Sequence, residues 1–264
     1  MSFRATTVAG EGVVTDDLLG WFSSLPGTLL VRQEQQLLAT ILPDLFGYHI
    51  VQLGCHHPES LIQSSRISHQ LCVQLNVDEQ PPGALICAEH ALSLAANAID
   101  VMLVPHVLEY ADDARRVLRE AERVLIGEGH IVVIGFNPWS SFGLWALLRR
   151  WRGRAPWNGH LFSVARIKDW LQVLGFDIIS VTRAGYRPPL ERPALNRRLE
   201  FLEKLGAYCW PILGNAYVVV AKKRVEGVTP LKASWRQRRR VLAGGMAEPS
   251  TRQHQSGGEG PQNG

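Results

Sequence analysis

Residues 100–138 read DVMLVPHVLEYADDARRVLREAERVLIGEGHIVVIGFNP. Asp100 leads four apolar residues, Val101, Met102, Leu103 and Val104. A continuous apolar run of this kind suits a strand buried on both faces of a parallel sheet. Asp112 and Asp113 then open a helix, where acids favour the N-terminal dipole. Val117, Leu118, Ala121, Val124 and Leu125 form its apolar stripe. Gly127 and Gly129 are expected to end it, and His130 to Gly135 reads as the next strand. Strand, helix and strand in this order make an α/β unit.

The same alternation extends outward. Gln33 to Leu45 is amphipathic, with Leu37, Leu38, Ile41, Leu42 and Leu45 at helical spacing. His49–Leu53, His69–Leu75 and Ala84–Cys87 read as three earlier strands. Downstream, Ser163 is a natural N-cap for a helix to Leu174, and Gly175 its stop. Phe176–Val181 and Ala216–Ala221 complete the sheet.

The 264 residues carry a net charge of +4, but unevenly. From Lys222 onward there are nine Lys/Arg against three acids, which leaves 19 bases and 21 acids in the body. A near-neutral body argues against a nucleic-acid-binding fold, whose surface should itself be basic. The tail, with Arg236-Gln237-Arg238-Arg239-Arg240 and a Gly/Gln/Ser/Pro-rich end, reads as a disordered basic segment from 224 to 264. It is either simply solvated or a contact for RNA or acidic lipid. No run of about 18 apolar residues occurs, so no transmembrane segment is expected. The start of the chain shows no secretory pattern. Cys55, Cys72, Cys87 and Cys209 lack metal or CxxC spacing, so reduced thiols, no metal and a cytoplasmic location are expected.

In the 100–138 stretch, His106-Val107-Leu108-Glu109, Leu118-Arg119-Glu120 and Arg123-Val124-Leu125 stand at the spacing of a known pattern. The segment resembles strands four and five of class I S-adenosylmethionine-dependent methyltransferases of type 11, the ubiquinone-biosynthesis group. The resemblance covers roughly residues 35–220. It implies an α/β, Rossmann-like, seven-stranded, mostly parallel sheet with helices on both faces. It also implies domain limits of 31–223, with 1–30 an N-terminal extension and a lid or insert at about 138–162.

The activity implied is methyl transfer from S-adenosylmethionine to a small molecule, possible acceptors including lipophilic ones. A non-catalytic binding or scaffolding module on the same fold is the alternative. By resemblance Gln52, Gly54, Glu89, Pro105 and His106 hold the cofactor, with Gly54 near its methionine end and Glu89 near its adenine. The family's glycine loop is altered here. Gly54 is kept, but His56 and His57 stand where small residues are expected, and Ala88 where the family has an acid. No acid ends the second strand; Asp78 and Glu79 follow slightly late. His106 would face the methyl group, either as a general base or as a local packing residue. Asn137 and Trp139 lie on the acceptor side, Trp139 as pocket wall or as hydrophobic plug. His56 and His57, adjacent and without further ligands, read as loop residues rather than a metal site.

Residues 140–154, SSFGLWALLRRWRGR, place Leu144, Leu147, Leu148 and Trp151 on one helical face, with Arg149, Arg150, Arg152 and Arg154 at the end. Such a helix either lies on a membrane surface, covers a lipophilic substrate, or packs as a lid on its own domain.

Overall fold

The computed structural model describes residues 11–54, 60–74, 85–86, 92–149, 151, 156–199 and 201–225. Two helices come first, α1 (Glu11–Phe22) and α2 (Leu25–Ile41). Strands β1 (His49–Leu53), β2 (His69–Gln74), β3 (Leu85–Ile86) and β4 (Ile99–Pro105) follow. Then come α3 (Ala114–Val124), β5 (Leu125–Phe136), α4 (Ser141–Arg149), α5 (Val164–Val173) and β6 (Phe176–Ala184). Helices α6 (Pro193–Arg198) and α7 (Phe201–Cys209) precede β7 (Ala216–Lys223).

The strand order is β3-β2-β1-β4-β5-β7-β6, with six longer strands and the two-residue β3 at one edge. All neighbours pair in parallel except around β7, which is antiparallel to both β5 and β6. The sheet is therefore mostly parallel with one reversed strand, the Rossmann-like arrangement. From β1 the chain winds outward to β2 and β3, then returns beside β1 as β4. That reversal of strand order is the position at which open α/β sheets form a crevice at the carboxyl ends of their strands.

The apolar run of β4 serves both faces. Met102 and Val104 join Val51, Leu53 and the stripes of α3 and α5 in one core. Val101 and Leu103 join Ile50, Val132, Ile134 and the inner faces of α1 and α2 in the other. Leu18, Phe22 and Leu30, from the segment read as an extension, are buried in that second core, so α1 and α2 form a layer of the fold. At the opposite end of the sheet, the Asp100 carboxylate accepts from the Tyr48 and His49 amides at 2.9 Å each, fixing β1 against β4.

Two local expectations need correction. Helix α3, capped by Asp113 through the Arg115 and Arg116 amides, ends at Val124 rather than at the glycines. Leu125 is already extended and starts β5. Gly127 and Gly129 instead sit in an irregularity of β5, where Ile99↔Leu125 gives way to Val101↔His130. Glu128 there has φ of +68°. A Cβ on Gly129 would lie 3.0 Å from the Asp100 carbonyl oxygen, so the glycine permits the close approach of β4. The thiols differ too. Cys72 on β2 is disulfide-bonded, its partner outside the described residues, while Cys209 is free and exposed. The expectation of reduced thiols is therefore corrected at Cys72. Among the described residues no helix is long and apolar enough to cross a membrane.

Candidate functional site at the carboxyl ends of β1, β4 and β5

Strand β1 is followed by Gly54, whose φ of +80° is a conformation open to glycine at little cost. Its amide donates to the Val73 carbonyl of β2 at 2.7 Å. Gln52, one pleat earlier, is buried. Its Nε2 donates to the Gly54 carbonyl at 3.1 Å, and its Oε1 accepts from the Leu61 amide at 3.0 Å. The side chain thus braces the two ends of the loop that leaves β1. His56, His57, Asp78, Glu79, Ala88 and Glu89 lie outside the described residues.

Pro105 closes β4 and His106 follows it at φ of +50°, its amide donating to the Ile134 carbonyl at 2.9 Å. A left-handed non-glycine residue costs about 1 kcal/mol and persists only where its surroundings hold it. Here they do. His106 is fully buried, its ring 4.0 Å from that of Phe136 and 5.4 Å from that of Phe22, centroid to centroid. Its Nε2 lies 2.9 Å from Glu34 Oε1 on α2, and its Nδ1 3.8 Å from Glu109 Oε1. Glu109 Oε1 also accepts from the Phe136 amide at 2.7 Å.

Burial by itself lowers the His106 pKa. The Glu34 charge and the Glu109 and Glu34 carboxylate contacts outweigh it and push the pKa up from 6.5 to about 9. The imidazole is therefore protonated at neutral pH and Nε2 donates to Glu34. Burial, reinforced by the Glu109 charge, also raises the Tyr110 and Tyr217 hydroxyls well above their ordinary range.

This placement matches the local packing alternative for His106, whose ring is buried and bonded within the fold. A buried imidazolium whose proton is committed to Glu34 accepts no further proton. Its role is to tie α2 to the end of β4. Glu34 was missed in the sequence, although it carries a signal. Leu30, Val31, Glu34 and Leu38 fall on one buried face of α2, and Glu34 is the charged residue among them.

Asn137 spends its side chain inside the fold. Nδ2 donates to the carbonyls of Ile212 and Gly214 at 2.7 and 2.9 Å, and Oδ1 accepts from the Trp139 amide at 3.2 Å. Trp139 is 73% exposed. Asn215, unremarked in the sequence, seats α4 by accepting from Ser141 Oγ at 2.8 Å and the Phe142 amide at 3.0 Å. Beyond β5 a cleft of about 360 Å³ opens between α4 and the segment before α5. Gly143, Ala146, Leu147, Trp157 and Phe162 give it apolar walls, with His160 and Arg166 also lining it.

Two features suit a sulfonium nucleoside. Gly54 allows backbone to approach closely at the strand reversal. Glu34 and Glu109 bring two buried carboxyl groups to the His106 ring at the end of β4. Glu34 Oε2 and Glu109 Oε2 are buried with no hydrogen-bond partner among the described residues, an arrangement that favours a nearby cation.

Comparisons with known proteins agree with this geometry. A family model described as a methyltransferase domain matches residues 64–133. The chain is 32% identical over 228 residues to the uncharacterized protein YafS of Escherichia coli (strain K12), covering 85% of this chain and 88% of that protein. Among solved structures, it resembles an S-adenosylmethionine-dependent methyltransferase of Thermotoga maritima, described as a possible histamine N-methyltransferase. The TM-score is 0.59 at 18% identity, covering 79% of this chain and 96% of the other. A putative methyltransferase of Listeria monocytogenes gives 0.51 at 15% identity, covering 75% and 100%. At these identities the structural likeness concerns the fold. Together with the relative and the family model, it places the chain: it belongs to the class I, type 11 methyltransferases, whose cofactor is S-adenosylmethionine.

Proposed function

We propose that this protein transfers a methyl group from S-adenosylmethionine to a small lipophilic acceptor. The observation that carries the reading is the strand reversal between β1 and β4, with Gly54 turning left-handed at the end of β1. The bound cofactor supplies a methyl group already activated by its sulfonium. The chain's own residues then have three tasks. Gly54 and the loop braced by Gln52 hold the methionine end, and Pro105 borders the methyl group. Glu89 is assigned to the adenine. The rings of Phe22 and Phe136, packed on His106 with Phe142 stacked behind Phe136, keep water from the His106–Glu34 pair. His106 holds its proton on Nε2 and acts as a positioning residue. The acceptor therefore gives up its own proton to solvent.

The apolar cleft beyond β5 supports a lipophilic acceptor, lined by groups such as Leu147 and Trp157. Asn137 and Trp139 border it in sequence, Asn137 as a brace of its rim.

Calorimetric titration with S-adenosylhomocysteine tests the reading. Saturable one-to-one binding is expected, weakened roughly tenfold by Gly54→Ala, because a Cβ at that φ is strained. Transfer of labelled methyl from S-adenosylmethionine into an organic-extractable product is expected alongside. No binding at millimolar cofactor overturns the proposal and leaves the non-catalytic module.

A further inference from the structure

Helix α4 turns its apolar stripe outward. On α4 Leu144, Leu147 and Leu148 recur at i, i+3 and i+4, and are 58%, 70% and 59% exposed; Trp151, past the end of the helix, is 81% exposed. The face that packs is the opposite one, Phe142, Gly143 and Ala146. That orientation is locked. Phe142 stacks on Phe136 at 4.0 Å, and a Cβ on Gly143 would lie 2.1 Å from the Pro138 carbonyl oxygen. The helix cannot roll its leucines inward without breaking both contacts. The helix thus packs on its own domain through this opposite face and leaves the leucine stripe exposed.

The charge around the stripe selects its partner. From Gly129 to Lys168 the sequence holds no Asp or Glu, but it holds Arg149, Arg150, Arg152, Arg154, Arg166 and Lys168. The Arg149 guanidinium lies 4.6 Å over the Trp145 ring. Trp139 precedes the helix, 73% exposed, and Ile212, 62% exposed, is held beside it by the Asn137 bond to its carbonyl. Exposed leucines, flanking tryptophans and a stretch of sequence with arginines and no acids form the pattern of a helix lying in a lipid–water interface.

We propose that α4 docks this protein on an anionic phospholipid surface, its leucine stripe at the acyl boundary and the arginines among the headgroups. The inference goes beyond methyl transfer and stands whether or not cofactor binds.

The test is co-sedimentation of the full chain with vesicles of phosphatidylcholine alone, or with about one-third phosphatidylglycerol. The anionic vesicles are expected to bind the protein, and the binding to fall with salt. The double variant Leu144→Ser/Leu148→Ser is expected to lose affinity at least ~tenfold, since two apolar side chains no longer insert. Its melting temperature is expected to stay unchanged, because both side chains are exposed. Equal binding by the double variant overturns the proposal and moves the contact elsewhere, such as Arg236–Arg240. Absence of vesicle binding by the parent chain overturns it as well. So does a dimer of the parent chain that the double variant dissolves without any effect on vesicles, which assigns the stripe to a second copy.

Discussion

Raising the pH from 6.5 to 9.5 removes the proton that joins α2 to the end of β4. The His106 pKa is raised in the folded chain to about 9, against 6.5 for the exposed group. A raised pKa means stability that is fully present below 6.5 and is lost as pH climbs through about 9. At about 1.4 kcal/mol per pH unit between the two values, the fully buried His106 contributes about 3 kcal/mol. Glu34 supplies the largest raising influence, so Glu34→Gln should abolish most of the effect. At pH 6.5 the variant is expected to be about 2–3 kcal/mol less stable than the parent, and near pH 9.5 the two curves should approach each other. Urea unfolding followed by tryptophan fluorescence at four pH values between these limits measures it. Other groups titrate in the same window in both proteins, so the quantity to read is the difference between them. A difference that stays constant from pH 6.5 to 9.5 refutes the reasoning, because His106 then carries no linked proton.

Two further substitutions test the packing that holds the site. Phe142→Ala removes a buried ring stacked 4.0 Å from Phe136 and 5.2 Å from Trp157, and should cost about 3–4 kcal/mol in a thermal melt. Asp113→Ala withdraws the acceptor of the Arg115 and Arg116 amides at the start of α3, and should cost about 1 kcal/mol in urea unfolding, with no change in vesicle binding.

Much of the architecture was legible because it is written in local patterns. The apolar run at 101–104 fixes a strand buried on both sides, and Asp113 and Ser163 announce the helices they cap. The boundary after α3 was misread because glycine marks both a helix end and a close strand approach. At Gly129 the backbone of β4, far away in sequence, decides between the two. The segment 1–30 lacked a strong pattern, yet Leu18, Phe22 and Leu30 complete a core.

The sequence by itself determined the order of the seven strands, the helices α3 and α5 between them and the type 11 resemblance around His106, since each depends on neighbours a few residues apart. Only the tertiary structure decided what those groups meet. Glu34 reaches His106 across 72 positions, Asn215 seats α4, and the leucine stripe of that helix faces outward. A stripe of apolar residues states that one face of a helix avoids water. Which surface answers it, the core of the same chain or something outside, is set by the packing of the opposite face, here Phe142 and Gly143 pressed against β5 and Pro138.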